Sequence, residues 1–257
     1  MVTAMVARFG RLTLVLIQEM GRMLLFLLAT GTWLLRPPFR PVQLARQVHF
    51  IGGKSTFVVV LTAAFTGMVL GLQLQYTLQK VGSEAALGSV VGLTIIRELG
   101  PVFAALMVTA RAGSAMTAEL GLMQITEQVD ALETMAISPL QYLIAPRVVA
   151  SVLGVPLLVA IFDVVGIAGG YLVGVQLLGG NPGSYWGSLH AGVEWKDVWG
   201  GLLKAGSFGL IVSWVCCYKG YATRRSAEGL GQATTEAVVL SAVLILVADY
   251  FLTSVLL

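Results

Sequence analysis

Long apolar runs separated by short polar stretches dominate the chain, and their lengths decide what each can be. Runs over 56–79, 85–110, 147–179, 198–218 and 234–256 each reach the ~20 residues that a helix needs to cross a bilayer. The second is interrupted at Gly100–Pro101. The third spans 33 residues, about 50 Å of helix against a hydrocarbon core of ~30 Å, so it must tilt, bend or project. Residues 8–35 also read as helix, with Arg8, Arg11, Gln18 and Arg22 in a polar stripe and Glu19 beside it. Their uncharged part, 23–35, is only 13 residues, which predicts an amphipathic helix lying in the interface. A tilted span over 12–35 is the competing reading. The RPPFRP segment at 36–41 cannot continue a helix and marks a break.

Composition agrees with this pattern. Of 257 residues, 57% are hydrophobic and 11% charged, against about 25% charged in soluble domains. The expected fold is an all-α integral membrane protein of five transmembrane helices, an N-terminal interfacial amphipathic helix and a cytoplasmic coupling helix. It forms a single domain over 1–257, with 1–54 at the interface and 55–257 in the bundle. A separate soluble catalytic domain does not fit in this length, and no signal peptide is read at the N-terminus.

Charge sets the expected orientation. Residues 1–54 hold seven basic residues, and Arg111, Arg147, Lys219, Arg224 and Arg225 add five at the same face, against Lys80 and Lys196 opposite. Twelve to two places the N-terminus in the cytoplasm and the C-terminus outside it. Tyr185, Trp186, Trp195 and Trp199 suit an aromatic belt at the outer surface. Gly67 and Gly71, and Gly166, Gly170 and Gly174, recur four apart; such rows allow close helix packing, within the chain or between two copies. No internal repeat supports an inverted-repeat transporter.

Candidate chemistry centres on Arg97 and Glu98, adjacent near the middle of the second span. Ionised groups at that depth cost about 2.5–3.5 kcal/mol each on insertion scales. Pro101 cannot donate to the Arg97 carbonyl and should kink the helix. Helical neighbours point about 100° apart, so each charge needs another partner. Asp163 and Asp249 are the candidates, as ion-pair partners of Arg97 or as further linings of one cavity. The site is then a structural ion pair, a cavity for the polar head of an amphiphile, or a proton relay. Residues 113–137 leave the membrane still helical in pattern. Ile125, Val129, Leu132 and Ala136 form an apolar row, with Glu127, Asp130 and Glu133 on another face. That suits a solvated acidic face or a helix docking in an ATPase partner. Gly53–Lys54–Ser55 imitates a phosphate-binding loop but lacks the earlier glycine and the strand. His49 and His190 are isolated, and no metal or nucleophile–base spacing is present. Adjacent Cys216 and Cys217 read as apolar packing residues.

GMVLGLQ (67–73), RELGPV (97–102), RAGSAMTAELGLM (111–123), TEQVDALE (126–133) and SPLQYLIAPR (138–147) together closely resemble the MlaE family. These are permease subunits of bacterial ABC transporters that move phospholipids between the inner and outer membranes. The resemblance implies a non-catalytic, multi-pass permease of the inner membrane that serves outer-membrane lipid asymmetry. It implies a homodimer, a cytoplasmic ABC ATPase that binds the ATP, a periplasmic ring of MCE-domain proteins and often a small STAS-domain subunit. Neither a cofactor of its own nor nucleic acid is implied. By position, lipid would meet Leu70, Leu78, Val81, Arg97, Glu98 and Leu99. Coupling to the ATPase would run through Glu119, Glu127, Asp130 and Glu133.

Two other classes compete on the residues alone. An ion-coupled transporter would use Glu98, Asp163 and Asp249 as proton sites. An intramembrane lipid enzyme would need a catalytic cluster at one depth.

Overall fold

In a computed structural model the chain is described over residues 2–34 and 41–256, and it is helical throughout, with no strand among the described residues. The predicted break at 36–41 falls, apart from Pro41, outside them, as do the side chains of Arg8 and Arg11. The helices are α1 (Val2–Leu34), α2 (Pro41–Val81), α3 (Glu84–Ile125), α4 (Gln128–Thr134), α5 (Leu140–Leu177), α6 (Pro182–Gly192), α7 (Trp195–Tyr221) and α8 (Ala227–Leu256). Five of them, α2, α3, α5, α7 and α8, are long and apolar enough to cross a membrane. Each extends beyond the apolar run that predicted it, because helix continues into flanking residues whose polar side chains reach the interface.

Small residues bring the helices together. A Cβ on Gly67 would run into the Gly166 carbonyl, and one on Gly71 would press on the Gly170 backbone. Both pairs keep one register, so α2 and α5 run side by side in the same direction, backbone to backbone. The two glycine rows left open by the sequence thus form a seam within the chain. The core continues through Ala104, Ala105, Val108, Ala112, Phe162, Phe208 and Cys216, all fully buried. Cys216 and Cys217 are both buried free thiols.

Two ends of the bundle differ in chemistry. Trp186, Trp195 and Trp199 are exposed at one end, here the tryptophan end. Arg111, Arg147, Lys219 and Arg225 mark the other, the basic end. At the tryptophan end α6 starts on an Asn181 cap that accepts from the Gly183 and Ser184 amides at 2.8 and 3.3 Å, with Pro182 at its first turn. Its Tyr185 hydroxyl donates to the Ile167 carbonyl at 2.9 Å. Burial pushes that phenol above its ordinary value, which keeps it a neutral donor. At the basic end α1 crosses α7. Glu19 reaches Lys219 at 3.4 Å, the Trp214 indole donates to the Met23 carbonyl at 2.8 Å, and Phe26 packs edge-on against Tyr218.

The segment predicted as one helix over 113–137 is broken. α3 runs unbroken through it to Ile125, Glu127 turns left-handed at φ 57°, and Ala136 does so at φ 58°. Val129 of the predicted apolar row is buried, while Ala136 leaves the row and is exposed.

Candidate functional site

The π-helical turn Ile95–Leu99 lies one residue before Pro101. Pro101 has no N–H to give the Arg97 carbonyl. The Lys204 ammonium takes that carbonyl instead, at 2.9 Å. Its other two protons go to Glu98 Oε2 at 2.9 Å and Thr253 Oγ1 at 2.6 Å. Asp249 Oδ1 adds an ion pair at 3.2 Å. Lys204 is 3% exposed, so it needs this saturation; a lone ammonium buried there would be expelled or neutralised. Gly201, one turn earlier on α7, lets the two helices close: a Cβ there would meet the Ile96 carbonyl at 2.5 Å.

Arg97 pairs with Asp197, Nε and an η nitrogen reaching Oδ1 at 2.8 and 2.7 Å. The other oxygen of Asp197 accepts the Glu194 amide at 2.9 Å and closes the capping box of α7. The expected partners were Asp163 or Asp249, and neither touches Arg97. Asp249 belongs to the cluster through Lys204. Asp163 stands apart, its Oδ1 packed at Gly100 with no hydrogen-bond partner among the described residues. Sequence reasoning missed Asp197 and Lys204 as partners. Asp197 reads as a loop residue and Lys204 as a stray cation, and only the fold brings them 100 and 107 positions back along the chain.

Asp197 lies two residues inside α7 and Lys204 nine, about 3 and 14 Å from its start. The cluster therefore sits in the tryptophan half of the bundle, not at mid-span. Arg97, Glu98, Asp197, Trp199, Lys204 and Thr253 line a cavity of about 410 Å³, within the range of small-molecule sites. Arg97 keeps 41% of its side chain exposed, so the guanidinium is paired yet reachable. Three cations (Arg97, Lys196 and Lys204) and three carboxylates (Glu98, Glu194 and Asp197) beside Trp199 and Leu203 offer an amphiphile a charged wall and an apolar one.

Of the other expected lipid contacts, Leu70 and Leu78 pack partly against the core of α2 and α5. Val81 is exposed at the end of α2, and Leu99 is half-buried. None of these four lines the polar cavity. The structure joins the Arg97 carbonyl to the Glu98 carboxylate through Lys204 and leaves the leucines outside that cavity.

The expected coupling acids have internal partners at the basic end. Glu119 meets Arg147 at 2.9 Å, and that arginine is 2% exposed. Asp130 pairs with Arg225 at 2.7 Å and Glu127 approaches it at 3.9 Å. The Tyr221 hydroxyl reaches Glu133 at 3.4 Å. α4 is thus clipped to the α7–α8 connection, with Leu122 and Met135 exposed around it.

A family model described as Permease MlaE matches residues 44–255. A Rickettsia bellii protein named as a probable ABC transporter permease is 44% identical over 95% of this chain and 94% of its own. The Haemophilus influenzae intermembrane phospholipid transport system permease protein MlaE is 43% identical over 83% of this chain and 82% of its own. The chloroplastic TRIGALACTOSYLDIACYLGLYCEROL 1 protein of Arabidopsis thaliana is 37% identical, over 81% and 60%.

Proposed function

This chain belongs to the MlaE permease family, and from that premise we propose that it is the non-catalytic membrane half of an ABC transporter for phospholipid. It works in the inner membrane as a homodimer, with the N-terminus in the cytoplasm and the C-terminus in the periplasm. A cytoplasmic ATPase docks on α4 and the end of α3 and binds the ATP. A periplasmic MCE-domain ring, and in some systems a STAS-domain subunit, completes the assembly, which serves outer-membrane lipid asymmetry. The name of the Haemophilus relative supports the cargo class.

The observation that carries the reading is the polar cavity between α3, α7 and α8. Arg97 is oriented by Asp197 but not consumed by it. A lipid phosphate is a bidentate acceptor of the kind a guanidinium matches. The headgroup approaches Arg97, while the acyl chains take the apolar surface carrying Leu70, Leu78 and Val81. Closure driven by the ATPase passes through α4 and its clip to α7, whose far end carries Asp197 and Lys204.

The test is lipid transfer by the complete transporter in reconstituted vesicles. Arg97→Glu should leave assembly and ATP binding intact and abolish transfer, since it sets a carboxylate against Asp197 where the phosphate must come. Transfer at the wild-type rate would remove the headgroup role. Transfer that proceeds without any ATPase would favour an ion-coupled carrier instead.

A further inference from the structure

The first thirteen residues of α2, 41–53, do not run up the seam that 56–81 forms with α5. They pack as an arm against α5 and leave an apolar groove of about 600 Å³ between the two. Leu44, Val48 and Gly52 line one wall, and Gly154, Leu157 and Ile161 the other. Gly154 to Ile161 lie seven to fourteen residues beyond Arg147, about 10–21 Å into the bundle from the basic end. The groove is therefore at acyl-chain depth in the leaflet of the basic end, far from the polar cavity. Leu157 is 61% exposed, and Pro41 and Ala45 on the arm are exposed too, so its mouth opens outward.

The charge beside it is one-sided. Arg46 and Lys54 are exposed on the arm, and neither forms an ion pair among the described residues. Lys54 stands 5.4 Å over the Phe50 ring and Arg111 5.2 Å over the same ring. Phe50 thereby orients both cations without neutralising them. Between Glu19 and Glu84 the sequence holds Arg22, Arg36, Arg40, Arg46, Lys54 and Lys80 and no acid. Among the described residues Lys204, Arg147, Lys219 and Arg225 each meet a carboxylate, whereas Arg46 and Lys54 meet none. Arg46 and Lys54 are therefore free to meet an anion from outside the chain.

We propose that the groove between the 41–53 arm and α5 holds one acyl chain of an anionic phospholipid, whose phosphate is bound by Arg46 and Lys54. This lipid stays with the protein; it is separate from any lipid in the polar cavity. Basic pockets between membrane helices select anionic headgroups because a zwitterionic lipid brings its own cation to the same place.

The purified protein, reconstituted in nanodiscs of equal phosphatidylglycerol and phosphatidylethanolamine, is extracted into detergent, and native mass spectrometry reads the lipids it retains. Wild type should retain phosphatidylglycerol over phosphatidylethanolamine at least ~5-fold, the scale of a single cation at a membrane surface. Arg46→Glu/Lys54→Glu should bring the ratio to parity. Gly52→Leu should lower retention of both lipids, because a Cβ there meets nothing within 4 Å and the longer side chain fills the groove without disturbing its walls. Arg97→Glu should leave the ratio unchanged. Equal retention by wild type would overturn the proposal, as would enrichment that survives the double charge reversal or total lipid retention left unchanged by Gly52→Leu. Loss of enrichment in Arg97→Glu alone would move the anion site to the polar cavity.

Discussion

Lys204 holds the polar cluster together. Its three protons satisfy a carbonyl orphaned by Pro101, a carboxylate on α3 and a hydroxyl on α8. Lys204→Met keeps the bulk of the stem but leaves Glu98 and Asp249 without a cation and the Arg97 carbonyl without a donor. Breaking a buried pair in this way costs about 3–5 kcal/mol, and thermal melting in detergent reads the loss. Asp249→Asn should cost clearly less, since Lys204 retains all three hydrogen bonds. Equal melting of Lys204→Met and wild type would mean that the cluster is wet and loosely held. Arg97 and Glu98 were legible in the sequence because charges stand out in an apolar run. Their partners were not. Asp197 looks like loop because it borders one, and Asp163, equally placed for pairing by hydropathy, faces Gly100 instead.

Elements were legible in type and number, and their ends were not. The five spans follow from run length alone, whereas α3 continues past its apolar run because Thr109–Gly113 and Ser114–Ile125 bury Ala112, Met116 and Leu120 against α7 and α8. Hydropathy averages hide such a face, where small residues alternate with polar ones. The arm over 41–53 went unseen for the related reason that its apolar side is one stripe wide. Contact between α2 and α5 is where element-scale physics is sharpest. Gly67→Ala pushes a methyl into the Gly166 carbonyl, and overpacking of this kind costs about 1–3 kcal/mol. Gly31→Ala, which meets nothing within 4 Å, should be neutral or stabilise α1 by about 0.5–1 kcal/mol. Melting curves of the two variants give opposite signs if the seam is intrachain. Should Gly67→Ala leave the monomer unchanged and weaken only self-association, the glycine row would serve the dimer instead.

At the scale of the molecule, one continuous helix joins the two ends. α7 carries Asp197 and Lys204 near its start, and Lys219 and Tyr221 at its last turn, directly before Arg225. On the proposed route a displacement of α4 at the basic end would reach the polar cavity through Tyr221 and a rod of 27 residues, about 40 Å long. This transmission has biological direction only if the basic end faces the cytoplasm, as the twelve-to-two distribution of cations predicts. Both native cysteines are fully buried, so added thiols can report sidedness without background. Thr134→Cys on α4 and Lys196→Cys at the start of α7 replace exposed side chains. In spheroplasts, a membrane-impermeant maleimide should label Lys196→Cys at once and Thr134→Cys only after permeabilisation. The inverse pattern would place α4 outside, where no nucleotide-driven partner could reach it, and the coupling route from α4 to Arg97 would fall with it.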